Sequence, residues 1–143
     1  MFKLYYAASV DCSVDQGKHL LGIFKEVFKK YPQIEVSGAG IGESPIISLD
    51  SSKTLKKTIV AYDLRKLREC DILLVVTDLK TYCAGSHMEL EYARNLGLLT
   101  IVLCVDKDGL AIYGLKNIFI ETLADKIIHS IEELEEILEE ITK

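Results

Sequence analysis

A chain of 143 residues, 49% hydrophobic and 27% charged, is one globular domain spanning 1–143, at the usual ~100–200 residues per domain, and is not a disordered polymer. Its 22 acids and 17 bases leave a net charge of −5, and six of the glutamates fall with one lysine between Ser130 and Lys143, so the rest of the chain is neutral. No apolar run approaches the ~18 residues of a membrane helix, the start has no signal-peptide layout, and the one dense basic stretch (Lys53, Lys56, Lys57, Arg65, Lys66, Arg68) has no interleaved aromatic ladder; no membrane and no nucleic-acid polymer is expected as a partner, and a cytoplasmic location is expected.

The elements follow in chain order. Residues 2–8 (Phe-Lys-Leu-Tyr-Tyr-Ala-Ala) read as the first strand. Leu20, Leu21, Ile23, Phe24, Val27 and Phe28 recur at helical spacing and predict a helix over 15–31, stopped by Pro32. Residues 34–36 form a short second strand, and 37–52, rich in Gly and Ser, a long loop. A helix over 53–69 precedes a nearly all-apolar strand over 71–76, the pattern of a central parallel strand covered on both faces. After a loop over 77–84, a helix over 85–96 ends at Gly97. A second buried strand spans 99–105, and Ile118-Phe119-Ile120 reads as the fifth strand. Ser130 with Glu133 three residues on is a capping box for the last helix.

Strands alternating with helices predict βαβ units and an α/β three-layer sandwich. A five-stranded parallel sheet in the flavodoxin-like order 2-1-3-4-5 is the expected architecture. Ligands of such sheets bind outside the carboxyl ends of the strands. That places the site among the loops 8–15, 77–85 and 106–114.

Those loops carry neither G-x-G-x-x-G nor a P-loop. Asp11 and Asp15 flank the first loop and disfavour a phosphate, so nucleosides are expected over 5′-monophosphates. The four cysteines (Cys12, Cys70, Cys83, Cys104) and three histidines (His19, His87, His129) show no metal-ligand spacing. In Cys83-Ala84-Gly85-Ser86-His87-Met88-Glu89, Gly85 permits a tight turn into the helix and Ser86 is placed to cap it. Glu89 then lies near the helix N-terminus, where an exposed carboxylate is stabilised as the anion, and it is read either as a nucleophile toward an electrophilic sugar carbon or as a plain capping residue. Asp63, late in the preceding helix, can be brought back beside it, and paired carboxyls are the equipment of glycoside chemistry.

Tyr5 in Lys3-Leu4-Tyr5-Tyr6, Asp63 in Asp-Leu-x-x-Leu, Asp71 opening an apolar strand, and Gly85-x-x-x-Glu89-Leu90-x-Tyr92-Ala93 followed by Gly97 and 99–103 (Leu-Thr-Ile-Val-Leu) together resemble the nucleoside 2-deoxyribosyltransferases and the related 2′-deoxynucleoside 5′-phosphate N-hydrolases. The resemblance implies a flavodoxin-like homodimer or higher homo-oligomer that uses no metal and no cofactor. It implies cleavage or transfer of an N-glycosidic bond on a small nucleoside or nucleotide, with Glu89 attacking C1′, Tyr5 beside it and Asp63 at the sugar or base. Ala8 and Ser9 on the first loop, and Cys83, Gly85 and Ser86 on the second, are the substrate-binding candidates. Cys83 stands where the transferases carry an aspartate and the N-hydrolases a serine, and Gly109 where a neighbouring subunit offers Asn or Ser. Those departures keep two alternatives open, the 5′-phosphate N-hydrolase and a non-catalytic nucleoside- or nucleotide-binding module.

Overall fold

The computed structural model describes residues 1–8, 14–38, 41, 50–77, 84–105 and 118–143. Its elements are β1 (Phe2–Ala8), α1 (Val14–Lys29), β2 (Ile34–Ser37), α2 (Lys53–Arg68), β3 (Ile72–Thr77), α3 (Ala84–Leu96), β4 (Leu99–Cys104), α4 (Ile118–Leu123), β5 (Lys126–Ile128) and α5 (Ile131–Thr142). The strands form one sheet in the order β2-β1-β3-β4-β5. Every neighbouring pair is parallel, with Tyr5 opposite Ser37 and Leu73, and Val75 opposite Val102. This is the flavodoxin-like order expected from the strand–helix alternation.

Two cores follow from the two-residue period of the strands. Leu4 and Tyr6 of β1, Leu74 and Val76 of β3, and Ile101 and Leu103 of β4 face α1 and α5, where they meet Leu20, Phe24, Leu134 and Leu138. Tyr5, Leu73, Val75 and Val102 face the other way, onto Leu67 of α2, Leu90 and Ala93 of α3 and Ile120 of α4. The tyrosine pair is therefore buried twice over. Tyr6 packs on Phe24 with ring centroids 5.2 Å apart, and Tyr5 goes to the opposite layer.

Helix ends follow local chemistry. Gly97, at φ +84°, closes α3 with a Schellman motif: the Leu98 N–H reaches the Ala93 carbonyl and the Gly97 N–H the Arg94 carbonyl, each at 3.0 Å. Ser130 caps α5, its Oγ accepting from the Glu133 N–H at 3.1 Å, while the Glu133 carboxylate accepts from the His129 N–H at 2.6 Å. Ser52 likewise caps α2 through the Leu55 N–H at 3.1 Å.

The fifth strand needs correction. Ile118-Phe119-Ile120 opens α4, and the strand that pairs with β4 is Lys126–Ile128. A three-residue apolar run carries no usable period. What decides the matter is a polar clamp at Asp125. Its carboxylate accepts from the Thr100 N–H at 2.9 Å, and its own N–H reaches Thr100 Oγ1 at 2.9 Å. This fixes the next three residues alongside β4. Helix α3 begins at Ala84, so Ser86 sits within its first turn rather than capping it. Among the described residues, no helix is long and apolar enough to cross a membrane.

Candidate functional site

Helix α3 leaves the carboxyl end of β3 and packs beside α2. Leu90 and Ala93 point it into the core. One residue before Leu90, Glu89 turns toward Tyr5 of β1 and Asp63 of α2, so the structure brings together the three residues expected to carry chemistry. Tyr5 is fully buried and Asp63 half-buried.

The electrostatics differ from the sequence expectation. Glu89 is not a solvated carboxylate at a helix start. It lies in the second turn of α3, half-buried, and its Oε2 is out of solvent with no hydrogen-bond partner among the described residues. Burial pushes its carboxyl up from 4.5 to about 7; the nearby Tyr5 hydroxyl pulls it back down, and the Asp63 charge pushes it up again. The helix dipole acts mainly within the first turn and is outweighed by desolvation here. A carboxyl poised near neutrality beside a second acid is what acid, base or nucleophilic work on a polar bond requires.

The remaining candidates are placed as follows. Ala8 ends β1 and is half-buried against the α1 side of the core. Ser86 is buried and faces a small void shared with Val75, Thr77, Val102 and Ile120. Gly85 lies in the first turn of α3. Ser9 and Cys83, with Asp11 and Gly109, lie outside the described residues. Among the described residues, no group of three or more His, Cys, Asp or Glu could hold a metal ion. An apolar cavity of about 450 Å³, lined by Tyr6, Phe24, Phe28 and Val36, lies on the other face of the sheet, away from Glu89.

Comparison with solved structures adds an independent line. A 2-deoxyribosyltransferase from Bacillus psychrosaccharolyticus superposes with a TM-score of 0.71 at 17% identity, over 93% of this chain and 90% of that one. This chain has the fold of a 2-deoxyribosyltransferase. A conserved protein from Enterococcus faecalis V583 matches equally, with a TM-score of 0.71 and 17% identity over 99% of both chains. A CMP N-glycosidase from Clostridium botulinum follows at TM-score 0.56 and 15% identity, over 97% and 98%. No protein-family model and no curated protein matches the sequence. At these identities the likeness speaks to the fold, and the chemistry has to be argued from the residues.

Sequence reasoning missed one residue at this site. Gly38 follows β2 at φ +120°, and a Cβ there would run into the backbone of Tyr6 and the ring of Tyr5. A lone glycine in a Gly/Ser-rich stretch carries no signal that separates it from Gly40 or Gly42.

Proposed function

We propose that this protein cleaves or transfers the N-glycosidic bond of 2′-deoxynucleosides, with Glu89 as the nucleophile. The observation that carries the reading is the burial of the Glu89 carboxyl against Tyr5 and Asp63, on the helix that leaves the central strand β3. Two enzymes among the structural neighbours, a deoxyribosyltransferase and a CMP N-glycosidase, support it.

In this mechanism the Glu89 carboxylate attacks C1′ of the sugar. The C1′–N bond breaks, and its electron pair leaves with the base, which takes up a proton. The resulting glycosyl ester is captured by a second base in transfer, or by water in hydrolysis, and the carboxylate is regenerated. The Tyr5 hydroxyl, beside the carboxyl, stabilises the Glu89 anion and so favours the reactive form. Asp63 holds the sugar or base. The carboxyl's position near neutrality favours one rival role, a protonated Glu89 acting as general acid. The two roles predict opposite limbs: kcat/KM rises with pH through about 7 for the nucleophile and falls for the acid.

We take the working form to be a homo-oligomer. Helix α2 buries only Ile59 and Leu67 along its 16 residues, and leaves Leu55 at 43% and Val60 at 55% exposed, with Met88 of the neighbouring α3 at 68%. Such a face suits a second copy.

The test is chromatographic. Several 2′-deoxynucleosides are incubated with the protein, with and without a free acceptor base. Release or exchange of base by the wild type, and its loss in Glu89→Gln, is the expected result. Ligand-induced thermal stabilisation with no turnover for any deoxynucleoside or 5′-monophosphate would replace the enzyme by a binding module.

A further inference from the structure

The face of the sheet opposite Glu89 carries a space that the described residues do not fill. It lies between α1 and the edge strand β2 and has a volume of about 450 Å³. Protein interiors leave few voids larger than a water molecule, and small-molecule sites run from about 300 to 1,000 Å³. Tyr6 and Phe24 form the floor, both buried, with ring centroids 5.2 Å apart. Phe28 continues the row, its centroid 6.5 Å from that of Phe24. Leu21, Val36 and Ile41 line the walls, and all three are only half-buried. The core between the sheet and α1 therefore runs out into a groove where its apolar side chains are left half-covered.

The rim of the groove carries charge of one sign. Lys25 and Lys29 line it one helical turn apart, and Lys18 stands two turns before Lys25 on the same stripe of α1. All three are exposed, which lets their stems lie along the apolar wall with the ammonium groups at the edge. Lys29 is already paired, its Nζ 2.6 Å from Glu26 Oε1. Lys25 has no ion pair or hydrogen bond among the described residues. Glu35, the acid of β2, precedes Val36 and by the two-residue period of a strand faces away from the groove. One uncompensated positive charge thus borders an apolar trough, in a chain whose net charge is −5.

We propose that this groove binds a small aliphatic carboxylate, its chain on the Tyr6–Phe24–Phe28 row and its carboxylate at Lys25. The rim from Leu21 to Lys29 is about 12 Å of helix, at 1.5 Å per residue, which gives room for a chain of medium length. A single unpaired ammonium matches a single negative charge, whereas a phosphate dianion calls for a second cation or backbone donors. The site is separate from Glu89, because successive residues of β1 enter opposite layers, Tyr6 beside the groove and Tyr5 in the core that holds Leu90. It does not depend on whether the chain cleaves glycosides.

The experiment is a titration of the labelled full chain followed by amide NMR. The probes are octanoate, octan-1-ol and octylammonium, which share one chain and differ in the head. Octanoate is expected to give saturable shifts confined to Leu21–Lys29 of α1, Val36 and Ile41. Octan-1-ol should bind at the same place about threefold more weakly, the size of one exposed ion pair, and octylammonium more weakly again. Lys25→Glu should reverse the order of the two charged probes and leave octan-1-ol unchanged. Leu21→Trp and Val36→Phe put bulk into the groove and should abolish binding of all three, with the melting temperature held or raised as the added ring covers apolar surface. Gly22→Ala, on α1 with no described atom within 4 Å of its Cβ, should stabilise the helix without changing affinity, and so separates binding from stability. Lys25 is exposed, so its variant settles the preference for an anion even if the filling variants do not fold. Failure of octanoate to saturate, shifts that fall elsewhere, or equal affinities for the three heads overturns the proposal. Shifts at the same residues that follow protein concentration with no probe present also overturn it, since the occupant is then a second copy of the chain.

Discussion

The two ends of the sheet treat their carboxylates in opposite ways. At the amino end, Asp71 accepts from the Lys3 N–H at 2.9 Å while its own N–H reaches the Lys3 carbonyl at 2.8 Å. Asp125 and Thr100 exchange bonds in the same reciprocal manner, at 2.9 Å each way. Both aspartates are exposed, and their oxygens tie one strand start to the next. On the side of the sheet that α3 leaves, Glu89 is half-buried, with one carboxyl oxygen out of solvent and unpartnered among the described residues and with an acid beside it. Carboxylates that are solvated and hydrogen-bonded build the fold. One that is desolvated and crowded works against it, and such conflicts between local chemistry and stability collect where function is.

The sharpest way to break that contrast is Glu89→Gln. On the nucleophile reading, turnover falls by about 10³-fold or more, since the anion that forms the ester is gone. Stability should move the other way. A neutral amide escapes the cost of ionising in a buried site, so at pH 8 the variant should gain on the order of 1–3 kcal/mol. Rate assays and melting curves on one preparation decide it. Near-normal turnover with a lowered melting point would return Glu89 to a structural role.

The amino end predicts the reverse pattern. Asp125→Ala leaves the N–H and hydroxyl of a fully buried Thr100 without this partner. The expected loss is about 1–3 kcal/mol, read by chemical denaturation. The kcat of the folded protein should be unchanged. A large fall in kcat without a change in stability would mean that the two ends are not separate in function.

How much of this was legible in the sequence depends on how local each feature is. β3 and β4 are apolar runs covered on both faces, and Gly97 and the Ser130–Glu133 pair act within a turn, so all could be read directly. The strand order followed from the alternation of elements. β5 could not be read, because three apolar residues at 118–120 fit a helix or a strand, and the choice is made by the Asp125–Thr100 clamp across 25 residues of chain. Glu89 and Asp63 were legible as a pair because one strand and one loop separate them. The environment of Glu89 was not, since its desolvation comes from the tertiary packing that sets Tyr5, 84 positions earlier, against it. Gly38 was invisible for the same reason.

The pH dependence of stability sharpens the contrast further. The Glu89 carboxyl goes from 4.5 in the unfolded chain to about 7 in the folded one. Between those values the folded state holds a proton that the unfolded state has lost. Stability therefore falls as pH rises through this window and levels off above it, the opposite slope to a salt-bridged carboxylate. The contribution is on the order of 3 kcal/mol. Urea unfolding of the wild type and Glu89→Gln across this range measures it, because the difference between their curves isolates this group. Parallel curves would mean that Glu89 titrates alike in both states.

The smallest expected effect comes from Asp63→Asn. Asp63 contributes the weakest of the three influences on Glu89, behind burial and the Tyr5 hydroxyl, and it acts by repelling the anion. Removing its charge should lower the Glu89 midpoint by a few tenths of a pH unit, on the order of what a partly solvated neighbour provides. The rising limb of kcat/KM should move to lower pH by the same amount. If Asp63 also holds the sugar or base, KM rises as well, and the two effects separate because only the first displaces the pH profile. A midpoint that moves up instead would mean that Asp63 supports the Glu89 anion through a shared proton, and the pair would then have to be treated as one titrating unit.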